Sequence, residues 1–246
     1  MCTLVIFRRK AGPWPLLIAA NRDEMTGRPA SPPARHWPDQ PEIVGGLDQL
    51  AGGSWLALFD TGVCAAILNR RGTLGPMEGK RSRGELVLDA CNHLDAATGA
   101  RFMAELNGAA YRPFNLIVAD PKEAFWVRHA GDGPIQLVAI PEGLSMIEAG
   151  ELNDPASPRI RRFAPAFAAD LPKPDAGEWS GWQLLLGTPA RPGQDPGEGL
   201  CIRRDDGYGT VSSSLLALPA DPLVPPVWLH AEGAPDRAAF QPVDLS

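Results

Sequence analysis

Cys2-Thr-Leu-Val-Ile-Phe-Arg-Arg9 and Leu16-Leu-Ile-Ala-Ala-Asn-Arg-Asp-Glu24 stand close together at the start of the chain and decide how the rest is read. Candidate strands are Cys2–Arg9 and Leu16–Arg22, and the first reads as a buried strand rather than a frayed tail. Paired antiparallel, they bring Cys2 and Asp23 to the same end of the ladder. Side chains alternate along the second strand, so Asn21 and Asp23 point to one side and Arg22 to the other. Cys2 is small, so an aminopeptidase that trims Met1 leaves it as the N-terminal residue. That residue then carries a thiol and an α-amine of pKa about 7.7–8. Such an amine serves as general base for its own side chain, with no histidine needed. Two plainer readings compete: a cysteine that is only the first small apolar residue of a strand, and a polar strand end at Asn21–Glu24 making an exposed ion pair.

Outward from this pair, Gly53–Phe59 and Val63–Asn69 read as strands joined at Thr61-Gly62. Thr26–Leu50 between the two strand pairs is rich in Pro and Gly and reads as a long ordered loop. A helix is expected over Arg83–Leu94, with Ser82 and Glu85 as a capping box, and a second over Ala96–Leu106. Strands resume at Phe114–Ala119, Ala124–Arg128, Ile135–Ile140 and Ser145–Glu148. Helices fit Ser157–Ala168 and Glu178–Leu186, a surface loop Thr188–Gly199, and final strands Thr210–Leu218 and Val227–Ala231. The order of strands, helices, strands, helices, strands argues for an α+β chain with two mainly antiparallel sheets between helical layers, not an alternating doubly wound fold. One domain over residues 1–246 is the simplest organisation.

A formal net charge of −6 over 246 residues argues against non-specific binding to nucleic acid or to an anionic membrane. No apolar run approaches the roughly 20 residues of a membrane span, and the N-terminal stretch lacks a signal peptide's basic flank and cleavage site. A cytoplasmic protein with no transmembrane segment is expected; its oligomeric state is not readable. The four cysteines and four histidines are dispersed without zinc-site spacing, so no metal and no disulfide framework is expected.

Asn69 ends the strand Cys64–Asn69, where its amide is a candidate donor to a developing oxyanion and, equally, a turn former. Asn153 in Glu-Leu-Asn-Asp-Pro155 carries the same two readings, the Asp-Pro favouring the turn. Asn115 heads a buried strand and reads as structural. Gly45-Gly46 and Gly52-Gly53 form no phosphate-binding loop and allow tight turns or close backbone approach to a ligand. Lys80, Arg81 and Arg83 form a small basic cluster that reads as solvated. Tyr208-Gly-Thr210 with Ser212–Ser214 offers hydroxyls at a strand start, with no G-x-S-x-G elbow.

Together these pieces resemble the NRDE family, which is named for the Asn21–Glu24 tetrapeptide and takes in the transport and Golgi organisation protein 2 homologues. The resemblance spans nearly the whole chain. It rests on Met1-Cys2, Leu17–Glu24, Arg28-Pro29, Gly46-Leu-Asp48, Gly52–Leu56, Ala65–Asn69, Arg83–Val87, Phe114–Ile117 with Asp120, and Tyr208-Gly-Thr210. It implies an N-terminal-nucleophile (Ntn) hydrolase-like αββα sandwich similar to penicillin V acylases and bile salt hydrolases. It also implies a cofactor-free attack by Cys2 on the amide carbonyl of a small-molecule substrate, aided by Arg22, Asp23, Asn69 and Asn153. The chain departs from the hydrolases in two places: Arg22 and Asp23 are adjacent, and Val211 stands where relatives carry arginine. The same resemblance implies an alternative, a non-catalytic carrier of haem, lipid or acyl-CoA using the same cleft. No haem axial pair is evident; His36 and Cys2 are the least unsuitable ligands.

Overall fold

The computed structural model describes residues 2–246; Met1, on whose removal the expected Cys2 chemistry depends, lies outside them. In chain order the strands are β1 (Thr3–Arg8), β2 (Leu16–Met25), β3 (Ala30–Ala34), β4 (Ile43–Asp48), β5 (Leu56–Phe59) and β6 (Cys64–Asn69). Helices α1 (Glu85–Cys91) and α2 (Ala96–Glu105) come next, then β7 (Phe114–Ala119), β8 (Ala124–His129), β9 (Gln136–Ala139) and β10 (Gly143–Ile147). The chain continues through α3 (Pro158–Ala169), α4 (Ser180–Leu186), β11 (Tyr208–Leu218), β12 (Val227–Glu232) and β13 (Gln241–Pro242). It divides into two compact units, one made of Met1–Arg28 and Pro141–Val243, the other of Pro29–Ile140 and Asp244–Ser246.

The first unit holds a six-stranded antiparallel sheet in the order β10-β1-β2-β11-β12-β13. One face is covered by α3 and α4. Val5, Leu17, Ala19, Met146, Leu215 and Ala217 of the sheet pack against Ile160, Phe163, Phe167, Trp182 and Leu186 of the helices. α3 starts cleanly because Ser157 caps it, its Oγ accepting from Ile160 N at 3.1 Å, with Pro158 in the first turn where a missing N–H costs nothing. Between Thr210 and Ser212 the β11–β2 register slips by one residue, leaving Val211 as a bulge. The extra residue lets Thr210, paired with Asp23, and Ser213, paired with Asn21, both face the helices.

The second unit holds a seven-stranded antiparallel meander, β3 to β9 in order, with α1 and α2 packed on one face. Ala57, Ala65, Phe114, Leu116, Val118 and Val127 meet Leu86, Val87, Cys91 and Met103 there. Thr26–Leu50, expected to be a loop, carries β3 and β4 instead. Pro32 and Pro33 hid β3, and they are tolerated because β3 is an edge strand whose register breaks between Ser31 and Ala34.

The Ser82 capping box does not form. α1 begins at Glu85 after Gly84, with no side-chain cap, and the Glu85 carboxylate is taken by Tyr111 Oη at 2.7 Å and Arg81 Nε at 2.6 Å. Backbone crowding selects glycine here: a Cβ on Gly53 would sit 2.4 Å from the Gly84 carbonyl carbon. Gly46 likewise leaves room for the Trp55 ring, which a Cβ would meet at 2.2 Å. Gly45, Gly46 and Gly53 therefore serve close contacts within the protein, and Gly52 a positive-φ turn. The basic cluster is tied down as well, Arg83 bonding Thr73 and Pro113 O and Lys80 bonding Ala109 O. No helix among the described residues is long and apolar enough to cross a membrane.

A buried cross-strand pair generates a pH prediction. His230 on β12 lies opposite Ser214 on β11, with Nδ1 3.0 Å from the serine Oγ, and burial pushes its pKa down to about 4. In the unfolded chain a histidine titrates near 6.5, so below that pH the unfolded state binds a proton the folded state refuses. This contribution is complete above about pH 6.5, is lost as the pH falls toward about 4, and amounts to at most about 3 kcal/mol. Urea denaturation of wild type should therefore show roughly 2 kcal/mol less stability at about pH 5 than at about pH 7.5 from this group. His230→Gln should flatten that difference; an unchanged pH dependence in the variant would show that other groups set it.

Candidate active site around Cys2

The β1–β2 ladder builds this site. Its last pair is Thr3 with Asn21, and one residue beyond it the Cys2 side chain lies against the backbone of Asp23. The thiol Sγ accepts from Asp23 N at 3.4 Å and donates to Asp23 O at 3.7 Å. Burial pushes the thiol pKa up and the Asp23 charge pushes it further, while the Asp23 N–H and Arg22 pull it back. Arg22 itself is buried and extends from the face opposite α3 and α4, alternating with Asn21 and Asp23.

Asp23 is 1% exposed, and its Oδ1 accepts from Thr210 Oγ1 at 2.6 Å. That hydroxyl in turn accepts from Ile202 N at 2.8 Å, so strand pairing and loop both fix it. Burial pushes the Asp23 carboxyl pKa up, and the Arg159 charge opposes the shift. The Asp23 carbonyl that receives the thiol also accepts from Tyr208 Oη at 3.2 Å. Burial raises the Tyr208 phenol far above its ordinary range, so it is a hydrogen donor at any working pH.

Arg159 sits behind this cluster in the first turn of α3 and is 1% exposed. Its Nη1 donates to Thr3 Oγ1 at 2.6 Å and lies 3.5 Å from Glu148 Oε2, while Nε donates to Gly197 O at 2.9 Å. Glu148 is held from its other oxygen by Ser157 Oγ at 2.5 Å. Asn21 has a different job: its Nδ2 donates to Leu186 O and Leu200 O, both at 3.0 Å, and its Oδ1 accepts from Ser213 Oγ at 2.5 Å. It anchors the end of α4 and the loop before β11 to the sheet.

The two candidate amides stand on other elements. Asn153 adopts a left-handed φ of 55° and closes the free edge of β10, its Oδ1 accepting from Met146 N at 2.8 Å and its Nδ2 donating to Ser145 Oγ at 3.1 Å. Met146 pairs with Val5, three residues and therefore about 10 Å along β1 from Cys2. Asn69 belongs to the second unit, where it ends β6 opposite Phe114. Its neighbour Arg70 and Trp126 both donate to Asn115 Oδ1, at 2.8 and 3.1 Å, which gives that buried amide its structural role. His36 Nε2 is 2.8 Å from Pro32 O in the second unit. Among the described residues no three His, Cys, Asp or Glu side chains cluster to hold a metal ion.

Sequence reasoning passed over Arg159 and Thr3 as parts of this centre, and singled out Tyr208 and Thr210 only as hydroxyls at a strand start. One signal was available: a cation in the first turn of a helix opposes the macrodipole, so Arg159 needed a carboxylate elsewhere.

Comparison with known proteins agrees with this architecture. The sequence profile of the family described as Transport and Golgi organisation 2 matches residues 1–168. A mouse (Mus musculus) Transport and Golgi organization 2 homolog is 36% identical over 117 residues, 43% of this chain and 38% of its own length. The human (Homo sapiens) protein of the same description is 37% identical over 117 residues, again 38% of its length. The match thus spans well under half of these curated relatives. Among solved structures, a Caenorhabditis elegans N-acylethanolamine-hydrolyzing acid amidase ortholog superposes with a TM-score of 0.59 at 12% identity, covering 91% of this chain and 94% of its own. A conjugated bile acid hydrolase from Clostridium perfringens gives 0.57 at 10% identity, covering 99% and 97%. At such identities the likeness establishes the fold, and it is the α+β fold of the Ntn hydrolases.

The electrostatics of the centre predict how the thiol reacts. The Asp23 charge raises the Cys2 pKa, so Asp23→Asn should speed alkylation of Cys2 by iodoacetamide at about pH 7.5, by roughly threefold or more. Mass mapping of the N-terminal peptide reads Cys2 apart from the buried Cys64, Cys91 and Cys201. A slower rate in Asp23→Asn would mean that the carboxylate activates the thiol instead.

Proposed function

This chain belongs to the transport and Golgi organisation 2 family, and from that premise we propose that it is an Ntn-type cysteine hydrolase cleaving a non-peptide C–N bond in an N-acyl amide. The observation that carries the reading is the seating of the Cys2 sulfur on the Asp23 backbone, with the Asp23 carboxylate buried on the same strand. An ionisable group is rarely buried beside a nucleophile without a task in orienting it. That one structural neighbour is by name an acid amidase supports an amide as the bond attacked.

The chemistry starts from a Cys2 freed of Met1. Its α-amine takes the thiol proton, directly or through one water, and the thiolate attacks the acyl carbon. Arg22 favours the thiolate, and Asp23 orients the resulting ammonium. The tetrahedral intermediate collapses as the ammonium returns its proton to the departing amine, leaving a thioester on Sγ. The amine then deprotonates a water, which attacks the thioester and releases the carboxylic acid with the thiol restored. The resemblance assigns oxyanion stabilisation to the amides of Asn69 and Asn153, and a well-placed donor of this kind contributes about 10²–10³-fold to turnover.

With Met1 removed, verified by intact mass, the protein should hydrolyse members of an N-acyl amide panel. Cys2→Ala should abolish turnover while leaving substrate binding largely intact, and Cys2→Ser should remain folded with turnover reduced by about 10²-fold or more. The reading is overturned if processed protein hydrolyses none of the panel yet binds haem or acyl-CoA tightly with Cys2 dispensable. That outcome would make the chain a carrier.

A further inference from the structure

Enclosed charge in the first unit is not confined to the four polar residues of β2. Arg159 is 1% exposed and Glu148 6%. Both stand beside β1 at the nucleophile's end: Ile147 pairs with Leu4, so Glu148 comes level with Thr3, and Arg159 reaches Thr3 itself. In sequence Thr3 is the residue directly after Cys2. Burying an arginine costs several kcal/mol unless its donors are satisfied, and here Thr3, Glu148 and Gly197 satisfy them, with Gly197 accepting from both Nε and Nη2. A helix needing only to pack on this sheet has no use for a cation at its positive end. β1 likewise needs no side-chain tether in mid-sheet, since it is laddered on both sides, to β10 and to β2.

We infer that Arg159 is a positioning residue for Cys2: through Thr3 it fixes the start of β1 and thereby seats the sulfur on the Asp23 backbone. The inference rests on the proposed nucleophilic role of Cys2 but concerns only where the thiol is held. The Arg159 charge has a second effect in the same direction, because it favours the ionised form of Asp23 against the burial that opposes it. Ser157 extends the device. It caps α3 and bonds Glu148, so the start of the helix, its arginine and the arginine's counter-ion move as one piece.

The test reads the thiol, so it gives an answer whether or not the chain hydrolyses an amide. Iodoacetamide alkylation of Cys2 is tracked on the N-terminal peptide in wild type, Thr3→Val, Arg159→Met, the double variant and Arg159→Lys, with the thermal unfolding midpoint of each measured alongside. Thr3→Val keeps the β-branched shape and removes only the oxygen that Arg159 bonds. A sulfur released from its seat moves toward ordinary thiol acidity, so Thr3→Val and Arg159→Met should each speed alkylation, by about tenfold for each unit the thiol pKa falls. The double variant should add little to either single, and Arg159→Lys should restore part of the wild-type rate. The inference fails if Thr3→Val alkylates at the wild-type rate while Arg159→Met only lowers the unfolding midpoint. It fails equally if the two single effects are fully additive. If Arg159→Met is too unstable to purify, Thr3→Val and Arg159→Lys decide, through a raised rate in the first and a near-wild-type rate in the second. Should amide turnover be absent while the alkylation pattern holds, the amidase reading falls and the positioning role stands.

Discussion

The antiparallel register of β1 on β2 is the constraint on which the site depends. Thr3 opposite Asn21 leaves Cys2 facing the Arg22-Asp23 peptide. A slip of one residue would turn every side chain of β1 to the other face. Val5 would leave the helix-covered core and Thr3 would lose Arg159. The apolar alternation of β1 and β2 therefore does two things at once: it buries a core against α3 and α4, and it sets the polar end of the ladder to within one residue. β11 locks the same register from the far side of β2, and its bulge at Val211 aims Thr210 at Asp23 while keeping Ser213 on Asn21.

Electrostatically the centre is a balance of opposed demands. Enclosure shields the sulfur and the Asp23 carboxyl, and it pushes both toward their neutral forms. Arg22 and Arg159 counter this from different sides, one favouring the thiolate and the other the carboxylate. Val211, where the resemblance led one to expect a further arginine, is the bulge residue of β11. Burial of Arg159 with Glu148 supplies a cation on the helix side of the sheet, at a position far from Val211 in sequence.

Much of the fold was legible because apolar periodicity is a strong signal. Phe114–Ala119 was placed to the residue, and most other elements to within two or three. β2 runs on through the polar tetrapeptide to Met25, so all four of its residues are paired strand and none belongs to a turn. β3 was hidden by prolines that only an edge strand tolerates. The capping box failed because Gly53 needs Gly84 close by, a tertiary demand that no local pattern carries. At the site, Cys2 and Asp23 were legible because they share one ladder. Arg159 and Tyr208 were not, since each reaches the centre from more than a hundred residues away through contacts that only the packed sheet creates.

The division of the chain bears on the order in which it folds. The second unit is almost one continuous segment, Pro29–Ile140, and its meander pairs each strand with its neighbour in sequence. The first unit is split: β2 must wait for β11, whose Thr210 pairs with Asp23 across nearly two hundred residues. Loop closure over such a span is slow and is paid before any contact rewards it. On a ribosome the meander can close while β1 and β2 still lack β10, α3 and β11, and the seat of the sulfur is completed only when these arrive. Assembly of the Cys2 surroundings is thus tied to synthesis of β11, and a chain cut before it leaves the thiol without the full enclosure that raises its pKa.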